Sequence, residues 1–175
     1  MTGLAKLRSF VRDVPDFPKP GITFKDITPL LGDAEAFAAT VEQLAAACAE
    51  HQPTVIVGLE SRGFIFGAAV AMKLGCAFVP VRKPGKLPAR TERVTYDLEY
   101  GHGELEIHAD AFPKGARAVI VDDLLATGGT AAAATTLVER LGGTVVGYGF
   151  VIELLALDGR TKLRAGTPID SLLRF

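Results

Sequence analysis

Two stretches of the sequence repeat the order strand, helix, strand, and this repetition limits the fold more than any other feature. The strands are apolar without polar alternation, and a glycine follows each helix. The predicted strands are Thr54–Leu59, Ala77–Val81, Ala118–Val121 and Thr144–Ile152, and the predicted helices are Ser61–Leu74 and Thr130–Leu141. Such units are typical of parallel strands joined by right-handed crossovers. The sequence therefore predicts an α/β fold, a single domain over residues 1–175 with a doubly wound, mostly parallel sheet flanked by helices.

Residues 1–32 precede the first unit and are predicted to form a small N-terminal hood. Its first part, Met1–Val14, has apolar residues spaced for a short amphipathic helix. Prolines then exclude helix, and Ile22–Ile27 is predicted to be extended. Asp33 is placed to cap a following helix, which is predicted over Ala34–His51.

Residues 82–109 separate the two units and are predicted to cover a site. They begin with a basic loop, Arg82–Arg93, which we expect to be flexible. A hairpin follows, in which Val94–Glu99 would pair with Glu104–Ala109 across a glycine-rich turn. A last strand is predicted near Ile169–Leu172.

The composition limits the classes of partner and the compartment. There are 19 basic and 20 acidic residues, giving a net charge of −1, so no basic field favours nucleic acid or an anionic membrane. The only cysteines, Cys48 and Cys76, lie in apolar runs and are predicted to be buried thiols in a reducing compartment. No stretch approaches the ~18 apolar residues of a membrane helix, and Met1–Asp13 lacks a signal-peptide pattern. We expect a cytoplasmic protein.

The segment Asp122–Thr130 is the strongest functional signal. It leaves a predicted strand, passes through small residues and opens a helix. Gly128 and Gly129 allow the backbone to approach a ligand, and the amides at a helix N-terminus favour an anion. Thr127 and Thr130 add hydroxyl donors. The pattern is not the GxxxxGK[ST] loop of nucleotide-binding proteins, and an ordinary capped turn is the structural alternative.

Two adjacent carboxylates beside an anion site need a separate explanation. Asp122 and Asp123 would accept hydrogen bonds from ligand hydroxyls, or hold water around Mg²⁺. A ribose 5-phosphate carries both a phosphate and hydroxyls, so it matches both halves of the segment. The residues assigned to this ligand are Asp122, Asp123, Leu124, Ala126, Thr127, Gly128, Gly129 and Thr130.

A second strand end carries polar residues of a different kind. Glu60 and Ser61 precede Arg62, whose guanidinium group can bind a phosphate group with two hydrogen bonds. Lys83 and Lys86 lie in the basic loop, where mobile cations could close on a departing anion. The alternatives without a function are that Glu60, Ser61 and Arg62 begin an exposed helix and that Lys83 and Lys86 are solvated surface charges.

The segment Asp122–Thr130 resembles the signature with which type I phosphoribosyltransferases bind 5-phosphoribosyl 1-pyrophosphate (PRPP). Further segments resemble the adenine phosphoribosyltransferases within that family. These are Asp16–Thr28, Leu59–Phe64, Val81–Pro88, Tyr96–Gly101 and Leu105–His108. The resemblance covers nearly the whole chain in order. It implies the type I phosphoribosyltransferase fold, purine salvage from adenine and PRPP to AMP and pyrophosphate, use of Mg²⁺ held mainly by PRPP, and a cytoplasmic homodimer.

The resemblance also implies roles for individual residues. Thr23, Phe24 and Lys25 would recognise the base, Phe24 by stacking and the other two through their backbones. Lys83 and Lys86 would contact pyrophosphate, Glu99 would take the proton of the base, and Tyr100 would lie near the pyrophosphate loop. The implied catalytic residues are Glu99, Asp122, Asp123, Arg62 and Lys86. The resemblance further implies a cis peptide bond between Glu60 and Ser61.

Three other functions share parts of these signals. The chain could act on another purine base, because backbone recognition leaves little trace in a sequence. A PRPP-sensing regulator on the same fold would need an added nucleic-acid-binding element, and direct RNA binding by the fold itself stays open. A phosphoacceptor receiver domain would have its acidic pair near the first strand, whereas Asp122 and Asp123 come late.

Overall fold

A computed structural model of the chain describes residues 3–97 and 102–175. Its helices are α1 (Gly3–Arg8), α2 (Thr28–Gly32), α3 (Ala34–Ala49), α4 (Gly63–Leu74) and α5 (Gly129–Arg140). Its strands are β1 (Arg12–Val14), β2 (Phe24–Asp26), β3 (Val55–Leu59), β4 (Ala77–Val81), β5 (Thr91–Asp97), β6 (His102–His108), β7 (Arg117–Leu125), β8 (Thr144–Glu153) and β9 (Ile169–Arg174). Short 3₁₀ turns cover Leu155–Leu157 and Gly159–Lys162.

The central sheet has five strands in the order β4-β3-β7-β8-β9, and every neighbouring pair is parallel. The predicted doubly wound sheet is therefore confirmed. Two small antiparallel pairs stand apart from it, β1 with β2 in the hood and β5 with β6 in the hairpin.

Helices cover both faces of the sheet because its strands are apolar on both sides. In β7, Val119 and Val121 pack into the core under α3 and α4. The alternate residues, Ala118 and Ile120, pack into a second core with α5 and the β5–β6 hairpin. The ends of the strands are the places left open for polar side chains.

The N-terminal helix is shorter than predicted, because it ends at Arg8 and residues 12–14 form a strand instead. The Ser9 hydroxyl donates to the carbonyl of Lys6 (2.7 Å) at the end of the helix. Ion pairs then join β1 to β2, Arg12 to Asp26 at 2.6 Å and Asp13 to Lys25 at 2.7 Å. Pairing with residues far along the chain thus outweighs the local helical spacing.

β7 is longer than predicted and continues through both aspartates to Leu125. It does so because β8 extends beside it, with Asp122 opposite Phe150 and Leu125 opposite Glu153. The hairpin also begins earlier than predicted, at Thr91.

The prediction for the cysteines is correct for Cys48, which is buried, and wrong for Cys76, which is half-buried. Cys76 precedes the edge strand β4, so only one side of the chain is covered there. Within residues 3–97 and 102–175, no helix is long and apolar enough to cross a membrane.

Candidate active site

The two predicted loops meet at one edge of the sheet. β3 and β7 are parallel neighbours, so their carboxyl ends, and the loops that follow them, lie side by side. They enclose a cavity of about 280 Å³. Its walls are Glu60, Ser61, Arg62, Lys83, Asp122, Asp123, Leu124 and Thr130.

Residues 126–130, called the phosphate loop below, form the entry to α5. Gly128 has φ = 81° and begins the helix, and no side chain caps its first turn. The backbone amides at this N-terminus are therefore available to an anion. A cavity of about 70 Å³ lies along the loop, between Asp122 and Ala131. The geometry matches what the sequence predicts for this segment.

The two aspartates lie in different surroundings. Asp123 keeps only 7% of its side chain exposed, and its Oδ2 accepts a 2.5 Å hydrogen bond from Nε of Arg62. Asp122 Oδ1 accepts from the backbone amide of Asp123 at 2.9 Å. Burial raises the pKa of Asp122 well above its usual value, and the charge of Asp123 raises it further. Asp123 is therefore the member of the pair that contacts Arg62.

Glu60 gathers the cations of the basic loop. Only 7% of its side chain is exposed, and it binds the ammonium of Lys86, the amide of Lys83 (2.9 Å) and Nε of Arg82 (3.3 Å). Burial alone would raise its pKa, but these partners, Lys86 first, lower it to about 2. The peptide bond between Glu60 and Ser61 is cis, as the resemblance implied.

The hairpin encloses a second space beside the first. A cavity of about 530 Å³ lies between the two loops and the hairpin, with Glu60, Lys83 and Thr130 shared between the two cavities. The hydroxyl of Tyr96 lies 3.5 Å from that of Thr130. Glu99 and Tyr100 lie outside the described residues, so their assigned roles stay predictions.

The hood reaches the site through Phe24. The guanidinium carbon of Arg62 lies 5.2 Å from the centre of the Phe24 ring. The ammonium of Lys25 binds Asp13 at 2.7 Å and lies 4.4 Å from the centre of the Phe175 ring. Thr23 is exposed. None of the three hood residues lines the 280 Å³ cavity.

Sequence reasoning missed three residues near the site. Arg82 binds Glu60, and only its place beside Lys83 could have pointed to it. Tyr96 contacts the phosphate loop, which a strand pattern alone does not reveal. Gly159 packs against the same loop from a region in which we predicted only a later strand. A possible signal was the turn-forming pair Asp158-Gly159 shortly after a buried strand.

Comparison with known proteins agrees with this geometry. The profile of the phosphoribosyl transferase domain family matches residues 30–164. The adenine phosphoribosyltransferase of Carboxydothermus hydrogenoformans is 57% identical over 97% of this chain and 99% of its own. This chain belongs to the adenine phosphoribosyltransferase family.

Solved structures of family members share the whole fold. The enzyme of Thermoanaerobacter pseudethanolicus superposes with a TM-score of 0.95 and 55% identity, covering 98% of this chain and 99% of that one. The Saccharomyces cerevisiae enzyme, complexed with adenine and an imino-altritol bisphosphate, gives a TM-score of 0.92 at 43% identity and covers 98% and 99%. The similarity therefore extends over nearly the whole chain.

Proposed function

We propose that the protein acts in purine salvage by transferring the 5-phosphoribosyl group of PRPP to adenine, which gives AMP and pyrophosphate. One observation carries the proposal. The phosphate loop, the acidic pair and the cation Arg62 line adjoining cavities at one sheet edge. That set matches a ligand with a phosphate at one end, hydroxyls in the middle and pyrophosphate at the other end.

Different residues of the chain bind different parts of PRPP. The amides and hydroxyls of the phosphate loop bind the 5-phosphate, and Asp122 and Asp123 accept from the ribose hydroxyls. Arg62, Lys83 and Lys86 bind the pyrophosphate and stabilise the charge that it gains on leaving. The bond from the anomeric carbon to pyrophosphate breaks with its electron pair, and N9 of adenine attacks the opposite face.

The base is held and deprotonated by residues of the hood and hairpin. Phe24 stacks on adenine, and the backbones of Thr23 and Lys25 recognise its edge. Glu99 takes the proton that N9 loses, and Tyr100 lies by the pyrophosphate. The 2.5 Å ion pair from Arg62 to Asp123 and the 5.2 Å contact from Arg62 to Phe24 support a site in which base and PRPP are adjacent.

Mg²⁺ suits this site as a companion of PRPP. Asp122 and Asp123 offer carboxylate oxygens, the ligand type that Mg²⁺ prefers, and the ion normally keeps several waters and binds substrate phosphates. We propose that the two aspartates hold it through water, while PRPP supplies most of its ligands. Bound there, Mg²⁺ would neutralise part of the pyrophosphate charge.

We propose in addition where the protein acts and how it assembles. A cytoplasmic location is supported by the two free cysteines, Cys48 and Cys76, which suit a reducing compartment. A homodimer is the assembly that the resemblance implies. Neither a nucleic acid nor a membrane is needed for the reaction.

A panel of bases tests the function. We expect PRPP consumption with Mg²⁺ and adenine, and much slower consumption with guanine, hypoxanthine, xanthine or uracil. Equal turnover of another purine would move the substrate assignment to that base. PRPP binding with no turnover of any base would favour the PRPP-sensing regulator, which a gel-shift assay with RNA and DNA would then examine.

Replacing Lys86 with alanine should lower kcat/KM for PRPP severalfold or more. The Lys86 ammonium binds Glu60, so it is held within reach of the cavity where pyrophosphate would leave. Steady-state kinetics of Lys86→Ala measures the effect. Lys73→Ala is the control, since it removes another exposed lysine paired with a glutamate, Glu42, on the far surface. Unchanged kinetics in Lys86→Ala would remove Lys86 from the mechanism.

A further inference from the structure

The chain after β8 returns to the phosphate loop and touches it backbone to backbone. A Cβ added to Gly159 would lie 2.2 Å from the carbonyl oxygen of Ala126 and 3.0 Å from the amide nitrogen of Gly128. A Cβ added to Gly128 would lie 2.3 Å from the carbonyl oxygen of Gly159. Neither position has room for a side chain. Residues 158–160, called the brace below, therefore pack against the loop and do not form the walls of the 280 Å³ cavity.

A half-buried ion pair ties the brace to the sheet. Arg160 donates from Nε to Glu153 Oε1 at 2.5 Å and from Nη2 to Glu153 Oε2 at 2.7 Å. Glu153 is the last residue of β8 and keeps only 5% of its side chain exposed. Arg160 also donates to the carbonyl of Ile169 (3.2 Å) and to the hydroxyl of Ser171 (3.4 Å), both in β9. The position of the brace thus depends on the ends of two strands.

The brace itself is a tight turn at the junction of the two 3₁₀ segments. Asp158 has φ = 48°, and its carbonyl accepts from the hydroxyl of Thr161 at 2.7 Å. The φ angle of Asp158 and the hydrogen bond from Thr161 are both local to the turn. They determine the shape of the turn and not the distance between the turn and the phosphate loop. The two-point contact between Arg160 and Glu153 joins the turn to the sheet in a defined geometry, because a guanidinium and a carboxylate paired in this way favour one relative orientation.

We propose that Arg160 is a positioning residue for PRPP. Its ion pair with Glu153 holds the Gly159 carbonyl against Gly128 and so fixes the direction of the amides that receive the 5-phosphate. This inference rests on the proposed function of the phosphate loop. Arg160 lines neither the 280 Å³ cavity nor the 70 Å³ cavity, so it acts through the loop and not on the ligand.

Ligands that correspond to the two ends of PRPP distinguish a positioning role of Arg160 from a general effect on stability. Arg160→Met removes the charge and both hydrogen bonds but keeps a long side chain. We expect it to weaken binding of ribose 5-phosphate by about tenfold to a hundredfold, since small misplacements of binding groups cost that much. Binding of magnesium pyrophosphate, held by Arg62 and the lysines, should stay within about twofold of wild type, as should KM for adenine. Isothermal titration calorimetry with each ligand measures the split.

Two further variants keep the test decisive. Arg160→Lys retains the charge without the two-point geometry, so it should show a smaller loss in the same direction. It also carries the test if Arg160→Met does not fold. Arg117→Met is the matched control, because Arg117 also donates two hydrogen bonds, from Nε to the carbonyl of Gln52 (2.9 Å) and from Nη2 to the carbonyl of His51 (2.7 Å), at the start of β7 and away from the phosphate loop. It should lower the melting temperature without changing either affinity.

A last variant distinguishes failure of this inference from failure of the proposed function. Thr127→Val combined with Thr130→Val removes two hydroxyls from the phosphate loop itself. If this variant weakens ribose 5-phosphate binding while the folded Arg160 variants bind both ligands normally, or lose both equally, the positioning role is wrong and the loop's function stands. If neither the threonine variant nor Gly128→Ala, which displaces the amides, weakens ribose 5-phosphate binding, the loop does not hold the 5-phosphate and both proposals fall.

Discussion

Replacing Gly128 with alanine is expected to lower kcat/KM for PRPP by about a hundredfold or more, because the binding amides would be displaced. Two costs combine at this position. Gly128 has φ = 81°, where an L-residue loses roughly 1–2 kcal/mol. The added methyl would also lie 2.3 Å from the carbonyl oxygen of Gly159, which is backbone and cannot rotate away. The phosphate loop must then move, and its amides with it.

Gly166→Ala is the control for the first of these costs. Gly166 has φ = 76°, but a Cβ built on it meets nothing within 4 Å. It should therefore lose a similar amount of stability, measured by thermal melting, and keep its kinetics. If Gly128→Ala retained wild-type kcat/KM for PRPP, the phosphate loop would not need its present geometry and its proposed role would be wrong.

The phosphate loop was predictable because its signal is local. Gly128, Gly129 and Thr130 follow an apolar run directly in the sequence, and one strand–turn–helix unit contains all of them. The neighbouring loop at Arg62 was equally predictable, and the parallel-sheet rule then placed the two loops together. Arg62 and Asp123 are 61 residues apart and are joined by a 2.5 Å hydrogen bond. The parallel-sheet rule predicts that these two residues lie close together, but it does not predict the hydrogen bond between them.

Contacts between distant segments account for what the sequence did not reveal. β1 forms because Arg12 and Asp13 find partners in β2, and no property of Met1–Val14 alone announces this. The packing of Gly159 against Gly128 joins residues 31 positions apart across a turn that has no strong motif. Local periodicity could not detect either, because each depends on the folded path of the chain.

Lys25 in the hood is a third residue whose contacts with distant segments the sequence did not reveal. The resemblance assigned this lysine to base recognition through its backbone and gave no role to its side chain. In the structure its ammonium binds Asp13 and lies near Phe175, the last residue of the chain. The side chain thus helps to fix the hood on the C-terminal strand, and the backbone remains the part available to a base.

Asp123→Asn is expected to lower kcat by about a hundredfold or more, the size of effect seen when a charge-stabilising group is removed from an active site. The amide oxygen of asparagine is neutral and accepts more weakly from a ribose hydroxyl than a carboxylate does. The change also removes the charge that holds Arg62 by a 2.5 Å hydrogen bond, so Arg62 would no longer be fixed for pyrophosphate. One substitution therefore weakens two adjoining parts of the site.

The fold should survive Asp123→Asn, which makes the kinetic result interpretable. Arg62 keeps 44% of its side chain exposed, so water can solvate the guanidinium after the partner charge is lost. KM for adenine should change a fewfold at most, since the contact of Arg62 with Phe24 is a cation–π interaction of ~0.5–1 kcal/mol. Glu139→Gln, which breaks the exposed pair with Arg164 at 3.1 Å, is the control and should keep full activity. Wild-type kcat in a folded Asp123→Asn protein would show that the acidic pair does not act on the sugar.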